Sequence, residues 1–295
     1  MLAYSVFILT LGGIYALLAL SLNLVWGMTG LVNLGLAGFY GAAICGDAGV
    51  PFVPGLAAAV AASIVAGLAV TLGTLRLRDD YLAIVTLGFA EVVRLVALNE
   101  RWLTKGAVGI SGIRNPFRQW FGIPVSALLY LALVSVMVLA VWAVIKRIDR
   151  SAYGRVLRAI RDDQELATFA GKRVLRFKLQ AFGLGAAVAG LAGALYAHQQ
   201  SYISPDYFDS LVTIYIFLAV AGGGAGRPVS AAIGGYVIVA FLEAMRFLSV
   251  VLPWLEPAQI AALRTAAMGA ALFLILRLRP QGLLPERIPT ARKSA

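Results

Sequence analysis

The side chains with chemistry to offer in this chain are the few polar and charged ones that interrupt long apolar runs. Glu91 and Arg94 stand three residues apart, as do Glu243 and Arg246, so each pair shares one face of a helix. If those runs cross a membrane, a charge at mid-span costs roughly 2.5–3.5 kcal/mol on insertion scales, and pairing offsets part of it. Both pairs fall toward the outer ends of their helices, where they either fix packing or line a vestibule. Asn23 and Asn33 flank the break Trp26-Gly27-Met28-Thr29-Gly30, and Thr86 lies inside a later apolar run. Uncharged polar groups of this kind glue helices together or touch a passing solute. Asn23, Asn33, Thr86, Glu91 and Arg94 are therefore the candidates for a polar path through the molecule.

The richest segment is 151–178. Asp162 followed by Glu165 has the spacing of a capping box, which predicts a short helix over 163–170. Leu166, Phe169 and Ala170 then share a face, and Gly171 is suited to end the helix in the left-handed conformation. Two turns of helix span roughly 12 Å. Basic residues flank the segment on both sides. From the residues alone, such a short, capped helix fits a lever for a partner protein or a helix lying on anionic lipid equally well.

Other chemistry is excluded by what is missing. Gly222-Gly223-Gly224-Ala225-Gly226-Arg227-Pro228 lacks the Lys-Ser/Thr that would hold phosphates and magnesium, and it reads as a turn. His198 is the only histidine, so neither a zinc site nor a Ser/His/Asp triad can be assembled. Cys45 is the only cysteine and sits in an apolar run, which leaves it no disulfide partner within the chain.

The elements that must position these residues follow from composition. Hydrophobic residues make up 61% of the chain and charged residues 13%, whereas soluble domains run about 25% charged. A soluble fold cannot hide that much apolar surface, so the surrounding medium must be lipid. The excess of basic over acidic residues, +11 in net charge, hugs the ends of apolar runs rather than forming a nucleic-acid-binding stripe. The first run lacks the basic start of a signal peptide and is too long for one, and is expected to remain as a membrane helix.

Spans of roughly 20 apolar residues are needed to cross the hydrocarbon, and only helices satisfy their own backbone there. The expected spans are 3–25, 28–46, 54–75, 81–98, 124–145, 178–199, 211–226, 229–252 and 261–277, nine in all with eight or ten as neighbouring counts. The second and seventh are short and glycine-rich, as broken or re-entrant segments are. The expected fold is thus all-α, one polytopic transmembrane bundle over 1–280 with a tail at 281–295. Between Lys146 and Lys178 lie ten basic and four acidic residues, so this loop is expected in the cytoplasm. Nine alternating spans then place the N-terminus outside and the C-terminus inside. Segment 99–123 is expected outside although Arg101, Lys105, Arg114 and Arg118 make it basic, an exception the sequence does not account for. Gly35-Leu36-Ala37-Gly38 recurs at 190–193 and Phe89-Ala90-Glu91-x-x-Arg94 is echoed at 241–246, which suggests two four-helix repeats after an extra first helix.

Four stretches resemble the permease subunits of branched-chain amino acid ABC importers, the M member of their two-permease pair. They are Ala19–Leu24 through Gly30-Leu31 and Gly35; Leu75–Gly88; Tyr153-Gly154-Arg155 with Arg158–Asp163 and Ala170-Gly171; and Gly222–Gly224 with Gly226 and Pro228, followed by Pro280-Gln281-Gly282-Leu283. ABC importers present an E-A-A-x-x-x-G loop to their ATPase. Glu165-Leu166-Ala167-x-x-x-Gly171 is similar to it, with Leu166 departing at the second position. The resemblance implies that 163–170 is the ATPase-coupling helix, with Arg158, Asp162, Asp163, Glu165, Leu166, Ala167, Phe169 and Gly171 forming that site inside a coupling loop at 146–178. It also implies a second homologous permease, two cytoplasmic ATPases that hold the ATP and magnesium, and a periplasmic substrate-binding protein, assembled in a bacterial inner membrane. This chain would then be no enzyme, bind no cofactor and touch lipid rather than nucleic acid. The implied cargo is leucine, isoleucine or valine, with urea, short amides and aromatic acids carried by relatives. A stand-alone transporter driven by an ion gradient is the first alternative, and reconstitution of the chain by itself discriminates it. A membrane-embedded enzyme is the second, and the single histidine argues against it.

Overall fold

The computed structural model describes residues 2–30, 52–74, 79–100, 105–113, 115–118, 120–251, 256–278, 282 and 284. Asn33 and the expected span 28–46 lie outside them, apart from residues 28–30.

Ten α-helices order the described chain: α1 (Leu2–Leu22), α2 (Phe52–Thr74), α3 (Asp79–Asn99), α4 (Ile123–Arg150), α5 (Ala152–Asp162), α6 (Gln164–Phe169), α7 (Val174–Gln200), α8 (Ser210–Gly223), α9 (Pro228–Val251) and α10 (Pro257–Leu278). Proline opens α9 and α10 and sits in the first turn of α4, where its missing N–H costs nothing. Asp209 caps α8 by accepting from the Leu211 N–H at 3.2 Å. Among the described residues, seven helical stretches are long and apolar enough to cross a membrane: Ala3–Gly27, Phe52–Gly73, Ile123–Arg150, Val174–Gln200, Pro205–Gly223, Pro228–Phe247 and Ala258–Ile275. The molecule is a polytopic helical bundle, as the composition requires, and α3 runs where the fourth span was expected. The seventh expected span stops three residues early, at Gly223, because Gly224 turns the chain with a φ of +115°.

One small departure from the all-helical expectation is a two-residue antiparallel pairing, β1 (Ile110–Ser111) with β2 (Tyr202–Ile203). Gly112 N–H donates to Ser201 O at 3.2 Å and Tyr202 Oη donates to Val108 O at 3.0 Å, extending the seam.

The core is built around α1, which is apolar on all sides and therefore buried rather than amphipathic. Ile14, Leu17, Leu18, Leu20 and Leu22 are fully enclosed by α4, α7, α8 and α9. Close approach is made possible by small residues. A Cβ on Gly235 of α9 would stand 2.5 Å from the Ala16 backbone. The second tight pair is α2 with α7, antiparallel, where Gly190 faces Ser63 and Ala59 packs with Ala194. Lipid gives no hydrophobic drive for helix association, so such van der Waals contact carries it.

Hydrogen bonds sort the loops onto two ends. At one end α1 continues through a π-helical turn, Asn23–Gly27, to Gly30 at φ +74°. There Asn23 Oδ1 accepts from Gly226 N–H at 2.8 Å, and Arg161 Nη1 donates to Gly27 O at 2.6 Å. Leu284 N–H donates to Gly223 O at 3.1 Å, bringing the C-terminal segment to the same end. At the other end Tyr4 Oη donates to Glu243 at 2.7 Å, and the β1–β2 seam follows the C-terminus of α7. The 146–178 loop, the glycine turn and the C-terminal segment thus share one end, and the N-terminus and the 105–122 segment share the other.

Two outcomes follow from this packing. Gly190→Leu forces α2 off α7, an overpacking cost of about 1–3 kcal/mol. It is expected to lower the unfolding temperature in detergent, whereas Gly88→Leu, which meets nothing within 4 Å, leaves it in place. Asn23→Leu strands the buried Gly226 N–H, at about 1–3 kcal/mol. Hydrogen exchange at Gly226 is expected to accelerate, while exchange in the middle of α7 stays as it was.

Candidate functional site

The loop between α4 and α7 is folded rather than loose. Ser151 ends α4, donating to Ile148 O at 2.6 Å, and caps α5 by accepting from Gly154 N–H at 3.2 Å. Gly154 is required there, because a Cβ would run into the Ile148 carbonyl. α5 buries Leu157 and Ile160 against the bundle. Tyr153 pins it to α7, with its ring 5.3 Å from Phe177 and its hydroxyl donating to Phe177 O at 3.4 Å. Burial pushes the Tyr153 phenol up to about 12, so it remains a neutral donor near pH 7. Arg158 pairs with Asp149, also donating to its carbonyl at 3.1 Å, and Arg161 reaches across to α1.

The next helix differs in detail from its expectation. Asp162 is the last residue of α5 and does not cap α6. Asp163 does, in extended backbone, its Oδ1 accepting from Leu166 N–H at 2.9 Å. Asp163 N–H still bonds to Ala159 O, so α5 runs one residue further than the spacing suggests. Glu165 consequently stands second in α6, and the Asp162/Glu165 capping box is not formed. The helix covers six residues instead of eight, about 9 Å. Its C-terminus is a Schellman closure: Gly171 N–H bonds to Thr168 O at 2.9 Å and Lys172 N–H to Ala167 O at 3.1 Å, with Gly171 at φ +73°.

Ala167 is the buried residue of α6 and rests on the rest of the protein. Leu166 is 65% exposed and Phe169 87% exposed, so the apolar face points away from the chain. Lys178 donates to Gln164 and holds the helix from its polar side. The result is a short knob, closed at both ends by its own hydrogen bonds, that offers two bare hydrophobic side chains.

The path candidates do not converge. Asn23 lies at the knob end; its Nδ2 is buried and without a hydrogen-bond partner among the described residues. Thr86 is buried on α3. Glu91 and Arg94 are paired, with Arg94 Nε 3.0 Å from both carboxylate oxygens, and Arg94 also lies in the field of Asp209 and Asp206. The second pair is looser, with Arg246 3.9 Å from Glu243. Among the described residues no three His, Cys, Asp or Glu side chains gather as metal ligands, and His198 stacks edge-on against Phe52 at 4.9 Å.

A cavity of about 380 Å³ with mixed polar and apolar walls opens near the end opposite the knob, and the sequence reading missed it. Its walls include Tyr15 of α1, Tyr196 of α7, Tyr215 of α8, Arg264 of α10 and, from the turn before α8, Asp206 and Asp209. The Arg264 guanidinium lies 5.8 Å from the centre of the Tyr215 ring, and its buried Nε has no hydrogen-bond partner among the described residues. These residues are up to 249 positions apart in sequence. The one available signal was Arg264, a charge inside the last expected span.

A family model described as "Branched-chain amino acid transport system / permease component" matches residues 4–280. The high-affinity branched-chain amino acid transport system permease protein LivM of Salmonella typhimurium is 34% identical over 97% of this chain and 71% of its own length. Its Escherichia coli counterpart is 33% identical over 96% and 70%. A probable branched-chain amino acid transport permease protein LivM of Methanocaldococcus jannaschii is 26% identical over 93% and 91%. No solved structure gives a significant match. Matched over nearly its whole length, the chain belongs to the family of permease components of branched-chain amino acid transport systems.

Proposed function

We propose that the chain is the transmembrane permease subunit of an ATP-binding cassette importer that moves leucine, isoleucine, valine or a related small amino acid or amide across the bacterial inner membrane. A second permease of the same family completes the pore. Two cytoplasmic ATPases supply the energy and hold the ATP and magnesium, and a periplasmic binding protein delivers the solute. On this reading the knob end faces the cytoplasm, which the ten basic residues between Lys146 and Lys178 support. The N-terminus then lies in the periplasm and the C-terminus in the cytoplasm.

The observation that carries the reading is the pair of bare side chains, Leu166 and Phe169, on a knob whose backbone is closed at both ends. A knob of this kind transmits force only if it does not deform. Asp163 and the Gly171 closure fix its length, while Tyr153, Arg158 and Arg161 tie the loop to α7, α4 and α1. When the ATPases close on ATP they would pull on the knob, and the bundle would exchange outward-facing and inward-facing arrangements.

The test is made on the assembled transporter. Phe169→Asp is expected to reduce ATP-driven leucine uptake at least about tenfold, because it places a charge in an apolar contact. Gly171→Val is expected to do the same by straining the left-handed position. Membrane insertion of both variants should match wild type. A photo-cross-linker at position 169 should capture an ATPase subunit; capture of phospholipid alone, with uptake unimpaired in both variants, would overturn the reading in favour of a helix lying on lipid.

A further inference from the structure

We infer that the tyrosine-lined cavity at the end opposite the knob is a binding station for a free zwitterionic amino acid, with Arg264 receiving the carboxylate and Asp206 and Asp209 the ammonium group. The inference rests on the transport reading above and assigns a solute-contacting site to it.

Three independent features point to a ligand. The first is size: about 380 Å³ falls within the range of about 300–1,000 Å³ that small-molecule sites occupy. The second is Arg264, a wall residue of the cavity whose buried Nε is left without a hydrogen-bond partner among the described residues. Buried polar groups are nearly always paired, and a guanidinium offers five donors in a planar fork that matches a carboxylate. The third is charge of both signs within one cavity. Asp209 spends one acceptor on the Leu211 N–H and Asp206 one on Ser204, at 3.2 and 3.3 Å. An ionised carboxylate has about four acceptor sites, so both retain capacity for an ammonium.

Tyrosines line the same cavity. Tyr196 lies on α7, Tyr215 on α8 and Tyr15 on α1, which contacts both helices, with Tyr196 accepting a bond from Gln200 at 3.0 Å. Rings of this kind offer an apolar body to an aliphatic side chain and a polar tip to its backbone groups. Neither a purely anionic nor a purely cationic solute would satisfy both poles. A small zwitterion would.

Saturation-transfer NMR on the assembled transporter, reconstituted without binding protein so that solute enters from bulk, tests this with three probes. L-leucine carries both charges, leucinamide only the ammonium, and 4-methylpentanoate only the carboxylate. Arg264→Gln is expected to weaken leucine binding about tenfold, as loss of a charged hydrogen bond does, and Arg264→Lys to restore part of it. Asp206→Asn with Asp209→Asn is expected to weaken leucinamide and leave 4-methylpentanoate as before. Leucine binding indifferent to Arg264→Gln overturns the site, and if that variant does not assemble, leucine binding indifferent to the double Asp variant overturns it equally. ATP-driven leucine uptake separates the two levels. Wild-type uptake that persists unchanged in Arg264→Gln removes the site alone, whereas absent wild-type uptake removes the transport reading and the site together.

Discussion

Close contact between helix backbones is the constraint on which this molecule depends. In water, burying leucine is itself stabilising; in lipid, a leucine on the surface already has apolar neighbours. Helices then cohere only where they fit tightly enough to gain dispersion contact over what acyl chains supply. Gly235 against the Ala16 backbone, Gly234 against the Ala219 carbonyl and Gly190 against Ser63 are among the places where this chain achieves that fit. They fix α1 in the centre and α2 along α7, and every loop hangs from that arrangement. The glycines that look like flexibility in the composition are mostly rigidity in the fold.

A second layer of order comes from hydrogen bonds made where the helices end. Asn23 reaches the glycine turn between α8 and α9, and Arg161 reaches the last carbonyl of the π turn. Tyr153 ties the same loop to α7. Three strands of the chain that are far apart in sequence are thereby laced together beside the knob. The loop that carries α6 is thus tied to α1 and α7 by directional polar contacts between backbone and side chain, beside the apolar packing of Leu157 and Ile160.

The legibility of the sequence varied with the range of the interaction concerned. Span positions were readable because apolarity over 20 residues is a local property. The left-handed Gly171 was readable for the same reason: a glycine after a short apolar face has one common use. The start of α6 was misplaced by one residue because Asp162 and Asp163 are both good caps, and which one wins depends on how far α5 extends, which Leu157 and Ile160 decide by packing. The outward direction of Leu166 and Phe169 could not be read, since an apolar face looks the same whether it is covered or bare. The cavity was missed because its tyrosines and Arg264 come from four helices, and no local pattern records that they meet.

The π turn at Asn23–Gly27 carries a geometric consequence of its own. Such a turn holds one surplus residue relative to a regular helix. In a regular helix one added residue would turn everything beyond it by about 100°. Taken up in the wide turn, the surplus residue is absorbed where it stands, and Gly27 and Gly30 keep the azimuth at which Arg161 meets them. The first helix thus carries an extra residue beside Asn23 without spinning its own tip.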